Sequence, residues 1–221
     1  MQQAPDRNPV ILGSAAPRAI EWAAEAIVDG GVIALPTDTV YGLAAALTHP
    51  AALERIFEIK GRDLTKTLPI LISSPDMLSH LAQGIDARIA LLLDTFWPGP
   101  LTMVVPAVPG LADALVAPDG TIGVRMPNHS LALEVIGKAG GMVACTSANR
   151  SGQPPARSSA EVAATIGRMI DLTLDGGITP GGVPSTVLAI RGGRPVVLRE
   201  GAISIEEIAE AWEELILDTD L

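Results

Sequence analysis

Five stretches of this 221-residue chain concentrate side chains that bind anions. The densest is KGRDLTK, residues 60–66, where Lys60, Arg62 and Lys66 put three positive charges within seven residues. A cation closing a helix complements the helix dipole, which accounts for Lys60 alone. A phosphate-bearing ligand accounts for all three. In TIGVRMPNH, residues 121–129, Arg125 leaves a buried-looking strand between Val124 and Met126. A buried guanidinium needs an anionic partner, either an internal carboxylate or a ligand's carboxylate or phosphate. PTDTVYGLA (36–44) offers Thr37, Asp38, Thr39 and Tyr41, and CTSANRSG (145–152) offers Thr146, Ser147, Asn149 and Ser151 beside glycine. Small hydroxyls and amides of that kind suit close backbone approach to phosphate oxygens. PSTVLAI and VVLREG add Ser185, Thr186 and Arg199. The set is rich in donors and poor in general bases, so it suits a site that positions and neutralises anions and assigns no acid or base.

Familiar alternatives are excluded by inspection. There is no G-x-x-x-x-G-K-[ST], G-x-G-x-x-G, H-E-x-x-H or G-x-S-x-G. His49, His80 and His129 are too far apart to suggest a metal triad, and no dedicated metal ligand set is expected. The single cysteine, Cys145, rules out an internal disulfide and reads as a small buried hydrophobe in an apolar strand.

The elements that must position these groups alternate between helix and strand. Helices are predicted from Pro17 to about Ile27, where Gly30 and Gly31 stop the periodicity, and over 51–59, 86–96, 130–138 and 159–166. Ser204 with Glu207 three residues later is a capping box opening a last helix to about Leu217. Strands are predicted at 31–36, 68–72, 101–105, 121–124, 142–145, 169–174, 186–190 and 195–199. This is an α/β layered domain, and three successive strands near its end imply a mixed sheet. Residues 1–15 are expected to be loose, 16–203 to form the working domain, and 204–221 an acidic terminal helix.

Charge narrows the partners. The 25 acids against 15 bases give −10, which disfavours a polyanion-wrapping surface. Eight of those acids and none of the bases lie from Glu200 onward, leaving a near-balanced body. Six bases (Lys60, Arg62, Lys66, Arg125, Arg150 and Arg199) sit in the motif segments, so a small cationic pocket remains compatible with the acidic total. No signal-peptide pattern and no membrane-length apolar run occur, and a cytoplasmic, soluble protein with no membrane partner is expected.

In order and spacing, PTDTVYGLA, KGR, FWPGPLT, TIGVRMP, TSANRSG, STV and VLREG resemble the YrdC/Sua5 family, over about residues 19–205. The resemblance implies a twisted mixed β-sheet curved around a concave cationic pocket with helices packed outside. It also implies a threonylcarbamoyl-AMP synthase: L-threonine, bicarbonate or carbon dioxide, and ATP give threonylcarbamoyl-adenylate and diphosphate. That is the first step of forming N6-threonylcarbamoyladenosine at adenosine 37 of tRNA. Mg²⁺ is expected on the phosphates, a separate tRNA threonylcarbamoyl transferase complex as partner, and weak or no direct tRNA binding. Carried over residue by residue, Thr39, Arg125, Cys145 and Ser185 match threonine-binding positions. Lys60, Arg62, Lys66, Thr121, Ser147, Asn149 and Arg199 match ATP-binding ones, with Lys60 and Arg62 positioning the reactants.

Three departures stand out. Many relatives carry Asn at Lys66, some a histidine at Leu71 that contacts threonine, and some a serine at Pro155. The length resembles the family's short, single-domain form. Two alternatives follow: a noncatalytic RNA-binding protein of the same fold, and a paralogue that adenylates another carbamate.

Overall fold

The structure, a computed structural model, describes residues 8–63 and 66–219. Within them ten strands form one sheet: β1 (Ile11–Gly13), β2 (Ile33–Leu35), β3 (Gly42–Ala45), β4 (Ile70–Ile72), β5 (Leu101–Pro106), β6 (Thr121–Arg125), β7 (Met142–Ser147), β8 (Leu172–Asp175), β9 (Thr186–Arg191) and β10 (Arg194–Arg199). The α-helices are α1 (Ala19–Val28), α2 (Pro50–Lys60), α3 (Ala87–Phe96), α4 (Ser130–Lys138), α5 (Ser159–Thr165) and α6 (Ile205–Thr219). The strand order is β1-β8-β2-β3-β7-β4-β6-β5-β9-β10. Parallel pairs (β1–β8, β2–β8, β4–β6, β5–β9) mix with antiparallel ones, as the sequence pattern implied.

Side-chain alternation divides the interior into two cores. Ile33 and Leu35, Ala44, Leu71, and Val143 and Cys145 pack beneath α1 and α4, which lie across β8, β2, β3, β7 and β4. Their neighbours Ala34, Leu43, Ile70, Ile72 and Ala144 face the opposite way, into the larger core shared with α2, α3 and α6. On β5 and β6, Leu101, Met103, Ile122 and Val124 join that larger core. The intervening Thr102 and Arg125 therefore project on the α1/α4 side of the sheet. That arrangement builds the site.

Several sequence expectations are corrected. Gly42–Ala45, where no strand is predicted, is the interior strand β3, because its side chains are buried on both faces between β2 and β7. Ile11–Gly13, inside the segment expected to be loose, is an edge strand whose pairing partner β8 lies 162 residues away, so no local signal marks it. Pro17 does not enter a helix: α1 starts at Ala19, preceded by Arg18 in a left-handed conformation at φ 61°. The strand expected from Met169 begins only at Leu172, because Met169 closes a 3-10 turn over Gly167–Met169. The capping box is formed, with Glu207 N–H donating to Ser204 Oγ at 3.1 Å and Ser204 N–H to Glu207 Oε2 at 2.8 Å. Residues 1–7 and 220–221, parts of the segments expected to be loose and helical, lie outside the described residues.

Candidate active site

A cavity of about 90 Å³ opens on the α1/α4 side of the sheet, where β3, β7, β4, β6, β5 and the start of β9 converge. Its size suits one amino acid, so a nucleotide would have to extend beyond it. Thr39, Arg125, Cys145, Ser147, Ser185 and Arg199, all singled out in the sequence, line it.

Arg125 anchors one wall. It is 6% exposed, and burial pushes its pKa down. Its Nε donates to Gly99 O at 2.9 Å, Nη1 to Thr39 Oγ1 at 3.0 Å, and Nη2 to Asp38 Oδ1. The internal-carboxylate option raised by the sequence is thus realised in Asp38, while Arg125 still faces the cavity. The Thr37 hydroxyl donates to Val40 O at 2.7 Å, so Thr39 is the donor in their 3.0 Å contact. Thr39 Oγ1 thereby keeps its lone pairs for Arg125 and the cavity.

On the opposite wall Ser185 Oγ lies 2.7 Å from Thr102 Oγ1, and Arg199 Nη2 donates to Ser185 O at 2.7 Å and to its Oγ at 3.3 Å. The chain reaches this geometry through a close crossing. A Cβ on Gly201 would sit 2.3 Å from Pro184 O, and Thr186 Oγ1 accepts from the N–H groups of Gly201 and Ile203 at 3.0 Å. Gly42 is needed for a similar reason, since a Cβ there would sit 2.5 Å from Cys145 Sγ. Cys145 itself is buried, its thiol pushed up to about 12 by burial, and its N–H donates to Pro69 O at 2.8 Å.

Beyond Ser147 lies a polar knot. Lys60 Nζ donates to Ser147 O at 2.6 Å, Asn149 Oδ1 at 2.8 Å and Asn149 O at 3.1 Å. Ser147 Oγ donates to Asn149 Oδ1 at 2.7 Å, and Asn149 Nδ2 closes the turn on Gln153 O at 2.6 Å. Lys60 is 4% exposed; burial, then the charge of Arg62, lowers its pKa to about 8. Arg62 is half-buried, with Nη2 donating to Thr67 O at 3.1 Å and a buried Nε that has no partner among the described residues. Burial and the charge of Arg199 push its pKa down, and Arg199 opposes the charged form of Arg125 as well. Cations that raise one another's cost of ionisation make a place where an arriving anion is stabilised.

The other expectations scatter. Lys66 is exposed. Thr121 stands at the opposite end of β6 from Arg125, its hydroxyl held by Asp119 Oδ1 at 2.6 Å, so it is not brought to the cavity. The Tyr41 phenol donates to Gly177 O at 2.7 Å, with burial pushing its pKa to about 12; it holds the 175–177 turn. Leu71 lines the cavity, whereas Pro155 borders a separate hollow of about 380 Å³ with Asn149 and Ala156. Sequence reasoning missed the parts played by Asp38 and Thr102. The signal for Thr102 was present: it is the lone polar residue in the otherwise apolar run LTMVV.

A ten-stranded mixed sheet flanked by helices, with a polar cavity among its central strands, defines the chain as an α/β protein. The chain belongs to the Sua5/YciO/YrdC family, whose model, described as "Telomere recombination", matches residues 25–201. Among its relatives, threonylcarbamoyl-AMP synthase of Pyrococcus abyssi is 40% identical over 88% of this chain, and that of Bacillus subtilis 38% identical over 86%. The alignments span 58% and 55% of those two proteins, so this chain matches little more than half of each. The crystal structure of P. abyssi Sua5 complexed with L-threonine superposes with a TM-score of 0.84 at 38% identity, covering 91% of this chain and 60% of that one.

Proposed function

We propose that this chain makes L-threonylcarbamoyl-adenylate from L-threonine, bicarbonate or carbon dioxide, and ATP. The observation that carries this reading is a cavity of amino-acid size walled by Arg125, Thr39 and Ser185 and bordered by Ser147 and Arg199. The names and the threonine-bound structure of its relatives support the same substrate. Arg125 holds the amino-acid carboxylate, with Thr39 and Ser185 as hydroxyl partners and Cys145 as apolar wall. Arg62, Lys66 and Arg199 neutralise the triphosphate, and Lys60 fixes the Ser147–Asn149 turn that the nucleotide meets. The threonine amine and bicarbonate condense to a carbamate with loss of water. A carbamate oxygen then attacks the α-phosphorus, and the bond to the bridging oxygen breaks to release diphosphate. Alignment and charge neutralisation supply the rate, which matches a site without a general base.

Among the described residues no cluster of three or more His, Cys, Asp or Glu could hold a metal ion. Mg²⁺ would therefore come bound to the ATP phosphates, where it neutralises their charge. No described helix is long and apolar enough to cross a membrane. The product is a reactive mixed anhydride, consumed by a separate transferase acting on tRNA adenosine in the cytoplasm. The test is diphosphate release in reactions lacking one substrate at a time, with the product mass measured. Release that requires threonine, bicarbonate and ATP together is expected; release independent of threonine would overturn the assignment.

A further inference from the structure

Thr102 is a buried polar residue that the sequence resemblance leaves without a role. It is 4% exposed and lines the cavity, and its hydroxyl has one hydrogen-bond partner among the described residues, Ser185 Oγ at 2.7 Å. Its orientation is fixed by packing: a Cβ built on Gly123 of the adjacent strand would lie 3.2 Å from Thr102 Cγ2. The methyl group therefore rests over that glycine on the β6 side, and the hydroxyl turns to β9. A larger residue at 123 would displace it.

Proton counting defines what the pair offers. Two hydroxyls carry two protons, and their mutual hydrogen bond consumes one. Arg199 Nη2 donates to Ser185 Oγ, so it adds no acceptor. Whichever hydroxyl donates within the pair, one O–H remains for a ligand, next to unused lone pairs on Thr102. The other polar side chains of the wall differ in what they offer: Arg125 and Arg199 only donate and suit carboxylate and phosphate, while Thr39 and Ser147 spend their hydroxyl protons on Thr37 Oγ1 and Asn149 Oδ1. A unit that both donates and accepts complements a ligand group that does the same, which in an amino acid is a side-chain hydroxyl.

We propose that Thr102, acting with Ser185, reads the side-chain hydroxyl of the amino-acid substrate and so selects a β-hydroxy amino acid over its deoxy counterpart. This rests on the threonine reading above. A desolvated hydroxyl pair left without its partner is penalised, which makes such sites selective against analogues lacking the group.

The test compares L-threonine with L-2-aminobutyrate, identical but for the hydroxyl, in wild type, Thr102→Val and Thr102→Ser. Diphosphate release gives kcat/KM, and calorimetry gives direct binding. For Thr102→Val, kcat/KM and affinity for threonine should fall about tenfold while those for 2-aminobutyrate change less than about twofold. Thr102→Ser, which keeps the hydroxyl, should retain wild-type discrimination. If both amino acids weaken together in Thr102→Val, or neither does, the hydroxyl-reading role is wrong. Should wild type bind threonine in preference to 2-aminobutyrate yet release no diphosphate, the synthase reading fails while the binding comparison still decides the role of Thr102.

Discussion

Asp38→Ala isolates the ion pair on which the site is built. Arg125 and Asp38 side chains are only 7% and 12% exposed, so the substitution leaves a buried guanidinium with Gly99 O and Thr39 Oγ1 as its remaining partners. Removing one member of a buried pair costs about 3–5 kcal/mol, because the other charge is left uncompensated. Asp38 also borders an open groove with Asn128 and Glu207, where water can reach the vacated position, which argues for the lower bound. For a domain of this size about 3 kcal/mol corresponds to a fall in Tm of roughly 6–12 °C. Asp38→Asn keeps an acceptor and should lose less. The same reasoning makes a distinctive claim about ligands: an added carboxylate should replace the missing one. Saturating L-threonine should therefore raise the Tm of Asp38→Ala more than that of wild type in differential scanning fluorimetry. A fall in Tm below about 2 °C, or equal stabilisation of both proteins by threonine, would refute the account of Arg125 as a charge awaiting an anion.

Three further predictions concern the β3–β7 contact. Cys145 should resist iodoacetamide in the native protein and react on unfolding, as followed by mass spectrometry; rapid native labelling would contradict its burial. Its thiol is pushed from 9.0 to about 12, so across that window the folded chain keeps a proton that the unfolded chain has released. The stability this confers is complete below about pH 9 and is lost as pH rises, and Cys145→Ala should flatten that loss in urea titrations. Gly42→Ala should destabilise by about 1–3 kcal/mol through overpacking against Sγ. Adding Cys145→Ala should recover much of it, and strict additivity of the two changes in urea midpoints would show that the clash is elsewhere.

Legibility differed between the body of the fold and its margins. Long amphipathic segments such as 130–138 were readable because a 3.6-residue period survives without tertiary context, and α4 occupies those residues. β3 was hidden because Gly42, Ala44 and Ala45 have neither β-branching nor alternation, and only burial between two strands makes them one. At the site, six of the residues matched to threonine or ATP meet in one cavity, because the neighbouring strands and their flanking loops bring them together on one side of the sheet. Thr121 does not, because it begins the strand that Arg125 ends.

Sequence alone determined the inventory: an acidic chain with six of its 15 Lys and Arg residues in the motif segments, a set of hydroxyls and cations poor in general bases, and the helices that carry their own period. Tertiary structure decided how those groups are used. It made Asp38 the counter-ion of Arg125, turned Lys60 inward onto the Ser147–Asn149 turn, and set Thr102 against Ser185. Each of these contacts joins residues more than 80 positions apart. The physical reason is that charge and donor capacity are properties of single side chains, whereas partnership depends on which strands the sheet brings side by side.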